Sequence, residues 1–179
     1  MTPARATHTV SYLMVSLRDE LLPEEVDVLG RVAAGHDADA MLVVQNVFRA
    51  AAALRGTLEQ DVLASHDLSF SAFTMLFCLW VWGPLEVRDA AERMAVSRPT
   101  VSGVADTLER RGLIERRDHP SDARRRSLAL TSAGEHAFAQ LFPLVNRHER
   151  AACRALEPEE SVELARLLRK LVHASRGDT

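Results

Sequence analysis

Cysteine is scarce in this chain, with two among 179 residues. Cys78 and Cys153 form neither a C-x-x-C pair nor a spaced set of metal ligands. A disulfide-rich secreted scaffold is therefore excluded, and two isolated thiols suit a reducing compartment.

Long apolar runs are also missing. No segment approaches the roughly 18 consecutive apolar residues that a membrane-spanning helix needs. The first residues lack the charged segment and long apolar stretch of a secretory signal. We therefore expect a cytoplasmic protein with no membrane partner.

Catalytic signatures are absent from the sequence as well. Serine, histidine and aspartate all occur, but no G-x-S-x-G, H-E-x-x-H or glycine-rich phosphate loop organises them. The seven histidines are dispersed along the chain and are not grouped with other ligand types. We expect neither an enzyme nor a metal site, and no cofactor is predicted.

The chain also lacks net positive charge. It has 22 basic and 25 acidic residues, which give a formal net charge of −3. This balance excludes a uniformly basic coat, so any DNA binding must use a local concentration of charge. One such concentration could bind phosphates, since an anionic partner relieves the repulsion between crowded cations. Its arginines are Arg110, Arg111, Arg116, Arg117, Arg124, Arg125 and Arg126.

A helix, a tight turn and a second helix are predicted around the start of this basic segment. The first helix covers about Val87–Met94, and Ala95-Val96 makes the turn. Ser97 is a typical N-cap residue, and Pro99 fits a first turn whose amides have no partner within the helix. Apolar residues then recur at helical spacing, so one face of the second helix is predicted to be buried and the other free.

The free face of the second helix carries small residues at its centre. A helix that enters the DNA major groove, about 12 Å wide, benefits from short side chains at its point of closest approach. Arginine can pair there with guanine, and serine or threonine with bases or phosphates. Asp106 could accept a hydrogen bond from a cytosine amine, but a pair with Arg110 one turn later is favoured. The predicted recognition-helix contacts are Ser97, Arg98, Pro99, Thr100, Ser102 and Gly103.

A β-hairpin is predicted directly after the second helix. Leu113–Arg117 has the pattern of a strand, Asp118–Asp122 has turn composition, and Ser127–Leu130 is the returning strand. This hairpin is interpreted as the wing of a winged helix-turn-helix unit. Its predicted phosphate contacts include Arg116, Arg117 and Arg125.

Helices with apolar stripes flank the winged unit on both sides. A long helix is predicted from Asp39, with Asp37 or Asp39 as its cap. A Ser132/Glu135 capping box opens another helix after the wing, and Pro158 starts a last one. Stripes at both ends of a chain predict a shared subunit interface.

The predicted fold class is mainly α with a small β-hairpin wing. In this fold, N- and C-terminal dimerisation helices flank a winged helix-turn-helix. The predicted divisions are an N-terminal extension (1–37), an N-terminal dimerisation helix (38–68), a winged helix-turn-helix DNA-binding domain (69–131) and C-terminal dimerisation helices (132–179).

The helix that starts at Ser69 or Ser71 and ends near Trp82 is apolar nearly all round and holds five of the nine aromatic residues. Two interpretations remain open: a core helix beneath the winged unit, or rings that line a pocket for an apolar or aromatic ligand. A basic residue on the long helix could likewise meet a carboxylate ligand or form a salt bridge. The candidate ligand-binding residues are Phe48, Arg55, Phe73, Phe77 and Trp80.

Two motifs carry a resemblance to a known family. Residues 97–117, SRPTVSGVADTLERRGLIERR, resemble the recognition-helix signature of the MarR family of winged-helix transcriptional regulators. Asp122-Ala123-Arg124 followed by Leu128–Thr131 resembles the wing signature of the same family. The resemblance covers roughly Asp39–Ala174, most of the chain.

The resemblance implies a homodimer whose two recognition helices enter successive major grooves of a pseudo-palindromic operator. Arg124 would reach into the minor groove, and Asp122 would hold it through a salt bridge. Narrow minor grooves carry enhanced negative potential that attracts inserted arginines, which gives this role a physical basis.

The resemblance also implies a repressor that responds to a small effector. Peroxide-sensing members use a cysteine in the first core helix, and residues 1–77 contain none. Urate-responsive members need an acid and an arginine where this chain has Thr74 and Val104. We therefore expect a different small aromatic or apolar effector. The alternative function is a winged-helix module that binds protein and has no operator of its own, against which the wing arginines argue.

Overall fold

The computed structural model describes residues 22–31, 36–119 and 122–177. Residues 1–21 of the predicted N-terminal extension lie outside the described residues. The chain divides into two compact units, Met1–Ala52 and Ala53–Thr179. The helix-turn-helix and the wing both belong to the second unit.

The described residues form a mainly helical fold with one small sheet, which confirms the predicted fold class. The helices are α1 (Pro23–Arg31), α2 (Ala38–Leu58), α3 (Phe70–Trp82), α4 (Val87–Met94), α5 (Arg98–Arg110), α6 (Ser132–Ala152) and α7 (Pro158–Arg176). The strands are β1 (Leu85–Glu86), β2 (Ile114–His119) and β3 (Asp122–Leu130). Short turns of π-helix (Glu59–Leu63) and 3-10 helix (Ala64–His66 and Cys153–Ala155) complete the helical segments.

In the first unit, a buried carboxylate joins α1 to the first half of α2. Glu25 has 4% of its surface exposed. Its carboxylate accepts hydrogen bonds from the Leu22 amide at 2.8 Å and from Asn46 Nδ2 at 2.6 Å. These two bonds, the Leu22 bond foremost, hold the pKa of Glu25 below its ordinary value, and the charge of Arg49 acts in the same direction. The ionised form of Glu25 therefore stabilises this pair of helices.

We expect the α1–α2 pair of the first unit to lose stability in acid. Because folding lowers the pKa of Glu25 from 4.5, its contribution is fully present above about pH 4.5 and disappears as the pH falls through the lower folded value. The variant Glu25→Gln should lack this acid-dependent loss. Amide hydrogen exchange of α1, corrected for intrinsic rates and measured on both sides of that pH, tests the prediction. Identical acid profiles for the two proteins would contradict it.

Helix α3 is the central core element of the second unit. Ser69 caps it, accepting a hydrogen bond from the Ala72 amide at 3.2 Å. Met75 is fully buried, and the ring of Phe73 lies 6.1 Å from that of Phe138, a fully buried residue of α6. The interpretation of this aromatic stretch as a core helix is confirmed for its buried face.

The predicted helix-turn-helix is confirmed. Helix α4 has the predicted bounds, and Ala95 adopts a φ of 53° in the turn that follows it. The Ser97 hydroxyl accepts a hydrogen bond from the Thr100 amide at 3.3 Å, and Pro99 occupies the first turn of α5. The inward faces are buried at Ala90, Ala91, Met94, Val101, Ala105 and Leu108.

The sheet has three antiparallel strands in the order β1-β3-β2. The two longer strands form the predicted wing, with Ile114 opposite Leu130. Strand β3 begins at Asp122, so pairing extends into the segment predicted as turn. Strand β1, in which Leu85 pairs with Leu128, was not predicted because two residues are too few to show alternation.

The start of α6 corrects one prediction. Thr131, not Ser132, is the N-cap residue, and its hydroxyl accepts a hydrogen bond from the Gly134 amide at 3.0 Å. The same hydroxyl donates to the Gly112 carbonyl at 2.7 Å, and the Thr131 amide donates to the Leu113 carbonyl at 3.1 Å. Tertiary contacts therefore decide between two adjacent hydroxyl residues that suit a cap equally well.

The caps of two other helices agree with prediction. Asp37 Oδ1 accepts the Ala40 amide at 2.9 Å at the start of α2. Pro158 opens α7, where Glu157 and Glu160 form a capping box. Helix starts were therefore predicted well where the cap depends on local sequence alone.

Within the described ranges, no single helix is both long and apolar enough to cross a membrane. Ala38–His66 and Phe70–Trp82 meet the length and composition requirement only as a bent pair.

Candidate DNA interface

The first turn of α5 presents a polar face to solvent. Arg98, Pro99 and Thr100 are exposed, and the hydroxyls of Ser97 and Thr100 lie 2.7 Å apart in a hydrogen bond. That bond and the Ser97 cap restrict both side chains before any ligand arrives. The helix N-terminus also carries partial positive charge, which favours an anionic group such as phosphate.

The centre of the free face is flat. Gly103 is exposed, and no atom lies within 4 Å of the position that a Cβ would occupy there. Ser102 is half-buried at the edge of the face. The six predicted recognition residues therefore lie on the first two turns of one helix, as the sequence predicted, and this face can approach another surface closely.

Asp106 does not pair with Arg110 as predicted. Arg110 Nε donates to the main-chain carbonyl of Asp106 at 3.2 Å, and its Nη2 donates to the Thr107 hydroxyl at 3.2 Å. The Asp106 carboxylate instead accepts a hydrogen bond from Arg116 Nη2 on strand β2 at 2.5 Å. The helical spacing of four residues indicated the wrong partner, because a strand ten residues away folds back beside the helix.

Arg116 joins the wing to the recognition helix through two ion pairs. Its Nη2 contacts Asp106 and its Nη1 contacts Glu109, both on α5. The hydrogen bond to Asp106 is the main reason that the pKa of Arg116 is raised, and Glu109 adds to it. We call these three residues the Arg116 bridge.

Other arginines of the basic segment also have intramolecular partners. Arg111 donates to the main-chain carbonyl oxygens of Asp67 at 2.5 Å and His66 at 3.0 Å, which ties the end of α5 to the loop before α3. Arg117 Nε donates to Glu115 at 2.6 Å. The basic segment is therefore partly a structural network.

The side chains at the wing tip lie outside the described residues. The backbone of Asp122, Arg124 and Arg125 belongs to strand β3, but the predicted salt bridge between Asp122 and Arg124 falls on side chains that are not described. The minor-groove role of Arg124 stays a prediction.

The predicted effector residues occupy different environments. Phe48 is 65% exposed on α2. Arg55 contacts Glu59 at 3.5 Å and its guanidinium lies 5.3 Å from the centre of the Phe70 ring. Arg55 therefore contacts Phe70, the first residue of α3, whereas Trp80 lies near the other end of that helix.

An aromatic cluster surrounds the second half of α3. Phe77 is half-buried and contacts Phe138 and Phe142 of α6, with ring centroids 6.4 and 6.3 Å away. Trp80 is 49% exposed and lies 5.4 Å from the same two rings. Phe138 and Phe142 were not predicted as part of this aromatic cluster, although their spacing of four residues on one helix face was visible in the sequence.

A cavity of about 430 Å³ opens beside this cluster. Trp80 forms one wall, and strand β3 and the first turns of α6 form others. Arg117 and Glu135 contribute charged groups to its lining. The cavity therefore combines an aromatic surface with a guanidinium at the base of the wing.

Among the residues that the structure describes, no group of three or more His, Cys, Asp or Glu is arranged to hold a metal ion. Cys78 is buried, and this burial raises the pKa of its thiol, while Cys153 is exposed. Both are free thiols.

The sequence is similar to those of known regulators. A family model described as MarR family matches residues 68–125, from the end of the loop before α3 into the wing. The uncharacterized HTH-type transcriptional regulator YwaE of Bacillus subtilis is 32% identical over 156 residues, which cover 85% of this chain and 91% of YwaE.

Solved structures share the fold. Bordetella bronchiseptica BpsR, whose DNA binding is regulated by 6-hydroxynicotinic acid, matches with a TM-score of 0.67 and 26% identity over 73% of this chain and 98% of BpsR. Sco3205 of Streptomyces coelicolor, solved in complex with DNA, matches with a TM-score of 0.71 and 22% identity over 80% of this chain and 92% of its own. These relatives are transcriptional regulators and not enzymes, which confirms the expectation of no catalysis. The chain therefore belongs to the MarR family of DNA-binding transcriptional regulators.

Proposed function

We propose that the protein is a cytoplasmic repressor that binds a pseudo-palindromic operator as a homodimer and responds to a small aromatic effector. The observation that carries the proposal is the exposed, small-centred face of α5, which is capped by Ser97 and joined to the wing by Arg116. Arg98, Thr100 and Ser102 would read base edges or contact phosphates in the major groove. Arg124 would enter the minor groove.

The homodimer is supported by an apolar stripe on α7. Five large apolar residues on one side of this helix are exposed. A contiguous apolar patch of this kind usually marks a surface that a partner covers. Helix α2 also exposes large apolar residues, among them Val43 and Val44. Both helices fall in the segments 38–68 and 132–179 that we assign to dimerisation, and residues 69–131 would be the DNA-binding domain. The apolar stripe of α7 consists of Leu164, Leu167, Leu168, Leu171 and Val172.

A dimer gives the recognition helices a defined separation. Two half-sites are read together when their recognition helices lie about one DNA turn apart, roughly 34 Å. An effector that prefers another separation lowers operator affinity by its preference for that state. This linkage would make the protein a ligand-responsive repressor.

The cavity beside Trp80 supports an anionic aromatic effector. An aromatic ring would stack on Trp80, and a carboxylate would pair with the Arg117 guanidinium, which now contacts Glu115 at 2.6 Å. Glu135 in the same lining disfavours a dianion. The regulation of BpsR by 6-hydroxynicotinic acid makes hydroxylated pyridine carboxylates the first probes to test.

The experiment that tests operator binding begins with selection of bound fragments from genomic DNA. With a selected fragment, Arg124→Ala should weaken binding by about 1–3 kcal/mol, because it removes a cation from the groove. Fluorescence anisotropy at fixed salt measures this change. The matched control Arg154→Ala removes the same charge from the turn between α6 and α7 and should bind normally.

Two outcomes would contradict this proposal. Equal affinity of Arg124→Ala and the native protein would remove the wing from the interface. Failure to select any DNA would instead favour a winged-helix module that binds protein.

A further inference from the structure

The Arg116 bridge connects two elements that must contact DNA together. Strand β2 leads into the wing, and Asp106 and Glu109 lie on the second half of the recognition helix. The Arg116 side chain is 28% exposed, while the Asp106 side chain is 60% exposed. The bridge is therefore partly exposed, with its guanidinium turned towards α5.

The two carboxylates are unfavourable by themselves at a surface that meets phosphates. Each would repel DNA, and repulsion between unit charges is stronger at a partly buried interface than in bulk water. Arg116 compensates part of this charge. Its planar fork presents Nη1 to one carboxylate and Nη2 to the other, an arrangement that a single ammonium group does not reproduce.

We propose that Arg116 is a positioning residue for operator binding: it fixes the wing against the recognition helix through Asp106 and Glu109, and it makes no phosphate contact itself. This inference rests on the proposed operator binding and changes the role first predicted for Arg116. Its two terminal nitrogens already bind carboxylates, whose negative charge offsets the guanidinium charge that would otherwise attract a phosphate. DNA binding would benefit because the recognition helix and the wing are held in a fixed orientation relative to each other.

The salt dependence of binding distinguishes positioning from contact. Each phosphate contact that is lost reduces the slope of log K against log salt by about one. Arg116→Gln should weaken operator binding on the order of tenfold, within the range for coupled residues, with an unchanged slope. Arg98→Ala, which removes a cation from the proposed DNA surface, should weaken binding and reduce the slope.

The carboxylates provide a second test, because two explanations of Asp106 predict opposite changes in operator affinity. If Asp106 only repels DNA, Asp106→Ala should tighten binding. If it holds Arg116, the same variant should weaken binding about threefold to tenfold, as expected for coupled neighbours. In the Arg116→Gln background, Asp106→Ala should no longer weaken binding, because the carboxylate then has no bridge to support.

The outcomes separate this inference from the proposed function. A reduced salt slope for Arg116→Gln, or tighter binding by Asp106→Ala in the native background, would overturn the positioning role. If no DNA fragment is selected, the proposed operator binding itself is wrong. If Arg98→Ala and Arg124→Ala both leave the binding of a selected fragment unchanged, the proposed DNA interface on α5 and the wing is wrong. Thermal unfolding of each variant identifies any that does not fold. If Arg116→Gln does not fold, the affinity of Asp106→Ala in the native background decides the question.

Discussion

Gly134→Ala should destabilise the winged unit more than the same substitution at Gly30, Gly56 or Gly103. A Cβ at this position would overlap the main-chain carbonyl oxygen of Leu113 and lie 2.9 Å from its carbonyl carbon. Backbone atoms cannot rotate away as a side chain does. The Leu113 carbonyl also accepts a hydrogen bond from the Thr131 amide at 3.1 Å. Making room for the methyl group therefore requires the start of α6 to move away from the start of the wing.

We expect a loss of about 3 kcal/mol or more, at the upper end of the usual cost of overpacking. For a chain of this size, this corresponds to a fall in Tm of roughly 6–12 °C. Differential scanning calorimetry measures the change. The matched control is Gly103→Ala, which adds the same methyl group to a helix where no atom lies within 4 Å.

The control should stabilise the fold by about 0.5–1 kcal/mol, because alanine favours a helix interior more than glycine does. Equal Tm values for Gly134→Ala and the native chain would show that α6 does not approach Leu113 as closely as described. Gly103→Ala should still weaken operator binding, since it places a methyl group on the face proposed to approach DNA.

Leu168→Glu should convert the proposed dimer into monomers and abolish tight operator binding. Leu168 lies within the apolar stripe of α7, and a carboxylate buried there in a dimer would have no described cationic partner on the stripe. Loss of the second half-site contact removes the gain from bivalent binding, which is on the order of 100-fold or more. Light scattering gives the mass in solution, and anisotropy gives the operator affinity.

Arg169→Ala is the matched control for this dimer test. It changes the net charge by the same amount, but its exposed side chain lies outside the apolar stripe. It should remain dimeric and bind the operator. A Leu168→Glu protein with the native mass and affinity would contradict the assignment of α7 to dimerisation.

Local signals predicted the helix-turn-helix well. Ser97, Pro99 and the apolar spacing of α5 act within a few residues, so the sequence contains the physical cause of each. Strand β1 and the Thr131 cap were not predicted, because both depend on contacts with residues that are distant in the chain.

The candidate DNA interface was predicted less completely than the fold. The six predicted recognition residues lie at the N-cap and on the first two turns of one helix, which was located from its cap and its apolar periodicity. Arg111 and Arg116 were counted among cations available to DNA, yet both have internal oxygen partners. Composition reports how many charges a segment holds and cannot report which of them are already paired.

The sequence by itself determined that a capped helix with a small-residue face follows a tight turn and precedes a basic hairpin. Those features arise from local backbone preferences and from burial of a periodic apolar face. Tertiary structure alone decided which carboxylates meet Arg116, since an ion pair depends on the approach of two side chains within a few ångströms. That approach exists only after the wing has folded back against α5.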